Sequence, residues 1–139
     1  MSKLQLYLKL LRPHQWIKSG FVFVGLLFGH AWGDSLVVHK VLLAAAAFAL
    51  AASTIYVIND LADRQPDREH PEKRHRPLAS GAIGLPEALV LAACCLCAAL
   101  VLAYAASLSV LYIVLGYLVL NVAYSFGLKH VVLLDVFII

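Results

Sequence analysis

The sequence of residues 88–128 is ALVLAACCLCAALVLAYAASLSVLYIVLGYLVLNVAYSFGL, a run without a single charged side chain. A second uncharged run extends from Val41 to Ile58. Apolar runs of about 18 residues or more are typical of helices that cross a bilayer. The composition agrees, since 63% of the 139 residues are hydrophobic and 14% are charged, against about 25% charged residues in ordinary globular domains. The sequence therefore predicts an integral membrane protein.

We predict an all-α fold, a polytopic transmembrane bundle of about four full spans and the start of a fifth, forming one domain over residues 1–139. The predicted spans are about Trp16–Ala31, Val41–Ile58, Gly84–Ala106 and Val110–Phe126, with a fifth from Val131. Residues 1–15 have apolar side chains at helical spacing between basic ones, which favours a helix in the membrane interface. The segment 131–139 is too short to cross about 30 Å of hydrocarbon at about 1.5 Å per residue. We therefore expect the chain to be the N-terminal part of a longer protein.

Basic residues set the expected orientation. With the N-terminus in the cytoplasm and four full spans, all of the 11 Lys and Arg residues except Lys40 lie on the cytoplasmic side. Cytoplasmic loops of membrane proteins are enriched in Lys and Arg. The pattern predicts a multi-pass protein of the cell (inner) membrane, with the N-terminus and the polar segment 59–84 facing the cytoplasm.

The polar segment begins with four side chains that can bind a metal through oxygen: Asn59, Asp60, Asp63 and Asp67. Magnesium prefers such hard oxygen ligands, together with substrate phosphates and water. A continuous helix would place Asn59, Asp63 and Asp67 on one face. Pro66 interrupts that alignment, because proline lacks an N–H and crowds the preceding turn. We expect the helix to kink or end there, with Asp67 in the following loop.

Basic residues follow the acids directly. Lys73, Arg74 and Arg76 are candidates for binding a diphosphate, since guanidinium groups bind phosphate oxygens in pairs. The competing interpretation is that they only reflect the cytoplasmic enrichment of basic residues. Likewise, the acids could simply pair with Arg64, Arg68 and Lys73 in a solvated loop. Charged groups directly after an apolar span are costly in the membrane and commonly mark function, which favours a site.

Other candidates lie outside the polar segment. Lys18 and Arg12, near the start of the first predicted span, could contact phosphate or extend their charges to the interface. The same two alternatives hold for Lys129. Tyr124 could line a cavity or belong to the aromatic belt at the membrane surface. Asp135 follows in an apolar segment and is a further candidate, with pairing to a neighbouring helix as its alternative.

Several kinds of site are disfavoured. His70 and His75 have no nearby cysteine, so a zinc site has little support. Cys94 and Cys97 lie within an apolar run, where packing is the expected role. The chain contains neither G-x-x-x-x-G-K-[ST] nor G-x-G-x-x-G. Its basic residues alternate with acids and form no stripe, so no nucleic-acid partner is expected.

The pattern N-D-x-x-D-x-x-x-D at Asn59–Asp67, followed by R-P-L-A-S-G at Arg76–Gly81, resembles the first acidic motif of the UbiA superfamily of intramembrane prenyltransferases. Further segments resemble its decaprenyl-phosphate phosphoribosyltransferase branch. They are Arg12–Lys18, His70–Pro77 and Tyr124–Lys129 with Asp135. The resemblance covers nearly the whole chain.

The resemblance implies a nine-span helical bundle around a lipid-facing cavity, with Mg²⁺ held by two acidic motifs, of which this chain has the first. Asp60, Asp63 and Asp67 would act in catalysis through that ion, and Asn59 would join them as a ligand. Lys18, Lys73, Arg74, Arg76, Tyr124 and Lys129 would contact substrate. The implied reaction transfers 5-phosphoribosyl from phosphoribosyl diphosphate to a polyprenyl phosphate.

Two alternatives stay open. The same site could transfer a polyprenyl group from its diphosphate to an aromatic or other acceptor. The chain could also be an inactive fragment or an assembly partner that binds lipid phosphate, with the missing half or an oligomer completing it.

Overall fold

The structure, a computed structural model, describes residues 2–21, 33 and 35–126. In these ranges the chain is helical and contains no strand. The α-helices are α1 Lys3–Leu11, α2 Ser35–Ala62, α3 Arg64–Glu69, α4 Leu85–Ala106 and α5 Leu108–Phe126. Two 3-10 helices, Pro13–Phe21 and Lys73–His75, complete the described elements. The all-helical fold class is confirmed for this part of the chain.

Three of the described helices, α2, α4 and α5, are long and apolar enough to cross a membrane. They correspond to the second, third and fourth predicted spans, and Ser107 separates the last two as expected. The first predicted span starts in the 3-10 helix Pro13–Phe21, and the rest of it lies outside the described residues. The segment 131–139 also lies outside them. The described residues thus contain three candidate spans, and the total of four stays a prediction.

A row of small side chains on α4 forms the main contact between the spans. Its buried members recur every three or four residues and therefore share one face; they are Ala88, Ala92, Cys95, Ala99, Ala103 and Ala106. This face packs against α2, where Ala47 and Ala51 are fully buried. Small residues let two membrane helices approach closely. Val114 and Leu118 of α5 pack against these alanines in one buried core cluster.

The N-terminal helix α1 is anchored at both ends. A reciprocal capping box between Ser2 and Gln5 closes its first turn, which satisfies backbone N–H groups that have no helical partner. Near its other end, Leu10 is fully buried in a second core cluster that includes Val57 of α2. Leu4 and Leu8 remain exposed on the opposite side. The role of α1 as an amphipathic helix in the membrane interface stays a prediction.

The chain turns sharply after α1, and Ser53 of α2 holds the turn. Arg12 has a φ of 54°, in the left-handed region that non-glycine residues rarely adopt. The Ser53 hydroxyl donates to the carbonyl oxygen of Leu11 at 2.8 Å and accepts from Nε1 of Trp16 at 2.8 Å. Because Ser53 is fully buried, this pair of bonds fixes the direction in which the Arg12 side chain leaves the turn.

Candidate functional site

The helix α2 carries the first acids of the polar segment and ends where the sequence predicts a break. The backbone N–H of Asp63 donates to the carbonyl oxygen of Asn59 at 2.9 Å, and that of Asp67 donates to the carbonyl oxygen of Asp63 at 2.8 Å. Between these bonds, Pro66 has no N–H to offer the carbonyl of Ala62. The helix therefore ends at Ala62 and resumes as α3. The interruption lies at Asp63, about one turn before Pro66, and Asp67 lies in the short helix and not in a loop.

Asp60 and Asp67 are almost fully buried, with exposed fractions of 2% and 4%. They are about two helical turns apart and so face the same side. One nitrogen of Arg76, Nη1, lies 3.4 Å from Asp60 Oδ1 and 3.1 Å from Asp67 Oδ2. Buried carboxylates require a cation or several hydrogen bonds. Arg76 meets that requirement for both, and it links α2 to α3 across the break.

Asp60 has a second cation, Arg12, whose Nη2 lies 2.9 Å from Asp60 Oδ1. The Arg12 guanidinium also lies 4.9 Å from the centre of the Tyr56 ring, a favourable cation–π distance. Ser53, Tyr56 and Asp60 thus lie along α2 at spacings of three and four residues, and all contact the turn after α1. The sequence suggested two roles for Arg12, contact with a phosphate or extension of its charge to the membrane interface. It did not predict the ion pair with Asp60. The one available signal was a buried carboxylate in need of a cation.

These side chains border a cleft of about 270 Å³, which we call the basic cleft. It is lined by Lys9, Arg12, His14, Gln15, Asp60, Arg76 and Pro77. Three cations against one carboxylate give it an excess of positive charge. Arginine and lysine in such a setting bind phosphate groups through charge-assisted hydrogen bonds. Lys9, His14 and Gln15 were not predicted, since nothing in their local pattern places them beside Asp60.

The two arginines of α3 fasten the loop that carries Arg76. Arg64 Nε donates to the carbonyl of Leu78 at 3.3 Å, and Arg68 Nε donates to that of Ala79 at 3.0 Å. Leu78 and Ala79 are themselves buried. The alternative of a solvated loop does not describe Asp60 and Asp67, which are buried and paired with Arg12 and Arg76.

The remaining predicted substrate contacts are more dispersed. Lys73 and Arg74 lie on the exposed 3-10 helix and do not line the basic cleft. Lys18 is exposed on the first 3-10 helix, and Tyr124 is half-buried on α5. Lys129, like Asp135, lies outside the described residues. The structure therefore brings Arg76 to the acids and leaves the roles of the other five as predictions.

The predicted magnesium ligands are only partly gathered. Within residues 2–21, 33 and 35–126, no group of three or more His, Cys, Asp or Glu side chains is placed to hold a metal ion. Asp60 and Asp67 nevertheless point hard oxygen donors at one cationic position, now filled by the Arg76 guanidinium. That donor chemistry suits magnesium. Asn59 and Asp63 are half-buried beside this pair in sequence, and their part in a ligand set stays a prediction.

Residues 19–139 match the model of the UbiA prenyltransferase family. The chain belongs to the UbiA family. The match includes the acidic segment, the loop with Arg76 and the three described helices that are long and apolar enough to cross a membrane.

Several relatives of this UbiA-family chain carry transferase names. It is 38% identical to the decaprenyl-phosphate phosphoribosyltransferase of Mycolicibacterium smegmatis, over 95% of this chain and 43% of that protein. The Corynebacterium glutamicum protein of the same name is 35% identical, over 93% and 40%. The 4-hydroxybenzoate octaprenyltransferase of Legionella pneumophila is 37% identical over 70 residues, 50% of this chain and 25% of that protein. The chain spans less than half the length of these relatives.

Proposed function

We propose that this chain contributes the first acidic motif of a magnesium-dependent UbiA-type transferase that moves 5-phosphoribosyl from phosphoribosyl diphosphate to a polyprenyl phosphate. Relatives named decaprenyl-phosphate phosphoribosyltransferase, which match nearly the whole chain, support the choice of reaction. The observation that carries the proposal is the buried Asp60–Arg76–Asp67 bridge beside the basic cleft. It combines carboxylates for a metal with cations for a phosphate.

The basic cleft has the chemistry to hold the anionic end of a substrate. Arg12 and Arg76 each present guanidinium donors, and Lys9 adds a third positive charge. In the proposed reaction the bond between ribose C1 and the diphosphate oxygen breaks, and an oxygen of the lipid phosphate forms the new bond. Pyrophosphate leaves with the electron pair. Because the lipid phosphate is already anionic, the site needs no strong base to activate it.

Asp60 and Asp67, joined by Asp63 and Asn59, would hold the magnesium ion. When bound, the ion neutralises negative charge on the leaving diphosphate. The apolar helices would hold the polyprenyl tail, since burying each methylene contributes about 0.8 kcal/mol. Arg76 is then the residue that balances the two carboxylates before the ion binds. We place the site at the cytoplasmic face of the cell membrane, on the distribution of basic residues.

A second candidate reaction is prenyl transfer from a polyprenyl diphosphate to an aromatic acceptor. The relative named 4-hydroxybenzoate octaprenyltransferase favours it, although that likeness covers about half of this chain. The basic cleft suits a diphosphate in either reaction, so the identity of the donor decides between them.

The test uses membranes that contain the chain, incubated with labelled phosphoribosyl diphosphate and polyprenyl phosphate. We expect a labelled lipid that disappears with EDTA. Asp63→Asn and Asp67→Asn should each lower its formation about 10–100-fold, the usual cost of disturbing a metal site. Glu69→Gln is the matched control, because Glu69 is exposed on the same short helix and should leave the rate unchanged.

Other results would redirect the proposal. Product formed only from a prenyl diphosphate and an aromatic acid would establish the second reaction. Equal losses in Asp67→Asn and Glu69→Gln would contradict the role of the buried acids. Binding of polyprenyl phosphate without product from either donor would point to the third possibility, a lipid-phosphate-binding partner without turnover.

A further inference from the structure

A second cavity, of about 460 Å³, lies between α1 and α4 and shares no lining residue with the basic cleft. It is lined by Tyr7, Pro86, Glu87, Val90, Leu91 and Cys94. On α4 the lining residues follow helical spacing, so a single face of that helix forms one wall. Tyr7 supplies the other wall, with Lys3 one turn away on the same face of α1. We call this space the α1/α4 cavity.

Three polar groups meet at the mouth of the α1/α4 cavity. Lys3 Nζ lies 3.1 Å from both carboxylate oxygens of Glu87, and the Tyr7 hydroxyl donates to Glu87 Oε2 at 2.7 Å. Lys3 Nζ also donates to the carbonyl of Ala82 at 3.3 Å. The charged side chains remain accessible, with exposed fractions of 57% for Lys3 and 39% for Glu87. The mouth therefore offers one positive and one negative charge to a ligand from outside.

Below the mouth the α1/α4 cavity becomes apolar. Glu87 lies in the first turn of α4, and Cys94 follows about two turns, or about 10 Å, further along the helix axis. Val90 and Leu91 form the wall between them, and Val90 is 64% exposed. With α4 across a membrane, as its length and hydropathy allow, its first turn would lie at the level of lipid head groups and Cys94 at the level of acyl chains.

We propose that the α1/α4 cavity binds a phospholipid with a primary-ammonium head group, of the phosphatidylethanolamine class. The lipid phosphate would contact Lys3, its ammonium would donate to Glu87, and one acyl chain would lie along Val90, Leu91 and Cys94. This assignment goes beyond the proposed transferase reaction, since neither the acids nor the basic cleft takes part in it.

Charge complementarity selects this head group over the common alternatives. The Lys3–Glu87 pair has no net charge and matches a zwitterion whose two charges have the opposite order. A choline head group has no N–H to donate to the Glu87 carboxylate. A glycerol head group brings a phosphate for Lys3 but no cation for Glu87, and so makes one charge-assisted hydrogen bond fewer. Charge-assisted hydrogen bonds are roughly twice as strong as neutral ones, so the loss of one is measurable.

The test measures which lipid the full 139-residue chain retains. The detergent-purified chain is equilibrated with equal amounts of phosphatidylethanolamine, phosphatidylglycerol and phosphatidylcholine, and the lipid kept per chain after gel filtration is quantified by mass spectrometry. We expect phosphatidylethanolamine to be enriched about five- to tenfold over the other two, as one additional charge-assisted hydrogen bond predicts. Equal retention of the three lipids would overturn the proposal.

Variants separate the head-group contact from the acyl wall. Glu87→Gln keeps a side chain that can accept from Tyr7 but removes the charge, and should abolish the preference for phosphatidylethanolamine. Cys94→Trp fills the α1/α4 cavity and should reduce total retention, whereas Cys97→Trp, exposed on the same helix outside the cavity, should not. Circular dichroism confirms that each variant is helical. A preference that persists in Glu87→Gln, or equal loss in the two tryptophan variants, would refute the site.

Discussion

The Ser53→Ala substitution tests whether α2 sets the turn that aims Arg12 at Asp60. It removes the only hydroxyl that links the Leu11 carbonyl and the Trp16 indole. A buried group left without its partner costs about 1–3 kcal/mol, while hydrogen bonds between membrane helices average about 0.6 kcal/mol each. For two bonds with partly accessible partners, we expect a loss of about 1–3 kcal/mol in the free energy of unfolding.

The neighbouring hydroxyl provides a matched control. Thr54 is equally buried, with an exposed fraction of 1%, but its Oγ1 donates only to the carbonyl of Leu50 in the same helix, at 2.9 Å. That carbonyl already accepts a backbone N–H, so the extra bond adds little. Thr54→Val replaces this hydroxyl by a methyl group of similar shape, so no cavity is left, and should therefore cost about 0.5 kcal/mol or less. The difference between the variants isolates the contact to the turn.

The assay is unfolding of the purified chain by SDS, in a background in which Trp32 is replaced by Phe. Trp16 is then the one remaining tryptophan, since the sequence contains two. Ser53→Ala should lower the midpoint and shift the Trp16 emission to longer wavelength, because the indole N–H loses its buried acceptor. Equal destabilisation by Ser53→Ala and Thr54→Val, or an unchanged Trp16 spectrum, would refute the reasoning.

Three further predictions follow from the structure. Arg76→Gln removes the cation beside buried Asp67 and leaves Asp60 with Arg12 alone, and should destabilise the chain by about 3–5 kcal/mol. Arg76→Lys should recover part of the loss, and SDS unfolding measures both. Gly81→Ala should cost about 1 kcal/mol, because its φ of +83° disfavours a side chain, whereas Gly116→Ala inside α5 should be neutral or stabilising. The pKa of Tyr7 is raised above its usual value by the hydrogen bond to the Glu87 carboxylate, so its phenol, followed as a difference titration against Tyr7→Phe, should ionise at lower pH in Glu87→Gln.

The membrane helices could be predicted because hydropathy is a local property. The predicted span Val41–Ile58 lies within α2, Ser35–Ala62, and the third and fourth spans also match the structure closely. The helix extends beyond the predicted span at both ends, and this difference has a physical cause. Backbone hydrogen bonding continues through polar side chains such as Lys40 and Asp60, while a hydropathy pattern ends at them. The break after Ala62 was predictable because proline acts on its own turn.

The composition of the candidate site was much harder to predict. Asp60 and Asp67 were named from their spacing, but their partner Arg12 lies 48 residues from Asp60 in sequence. That contact depends on how α1 packs on α2 and on the left-handed turn that Ser53 holds. Neither has a periodic signal. Lys73 and Arg74 follow the acids closely in sequence but do not line the basic cleft, and their role stays a prediction.

The alanine-lined face of α4 connects the middle of the membrane to the polar segment. Alanine side chains have no rotamers that could make room for a larger neighbour. Replacing a residue such as Ala99 by a larger one therefore has to move the whole of α4 away from α2. The first turn of α4 follows directly after the loop that carries Arg76, so the displacement would be transmitted to the bridge between Asp60 and Asp67. The distance between α2 and α4 thus influences the positions of the charged side chains near the end of α2. Substitutions far from any charged group can therefore alter those positions.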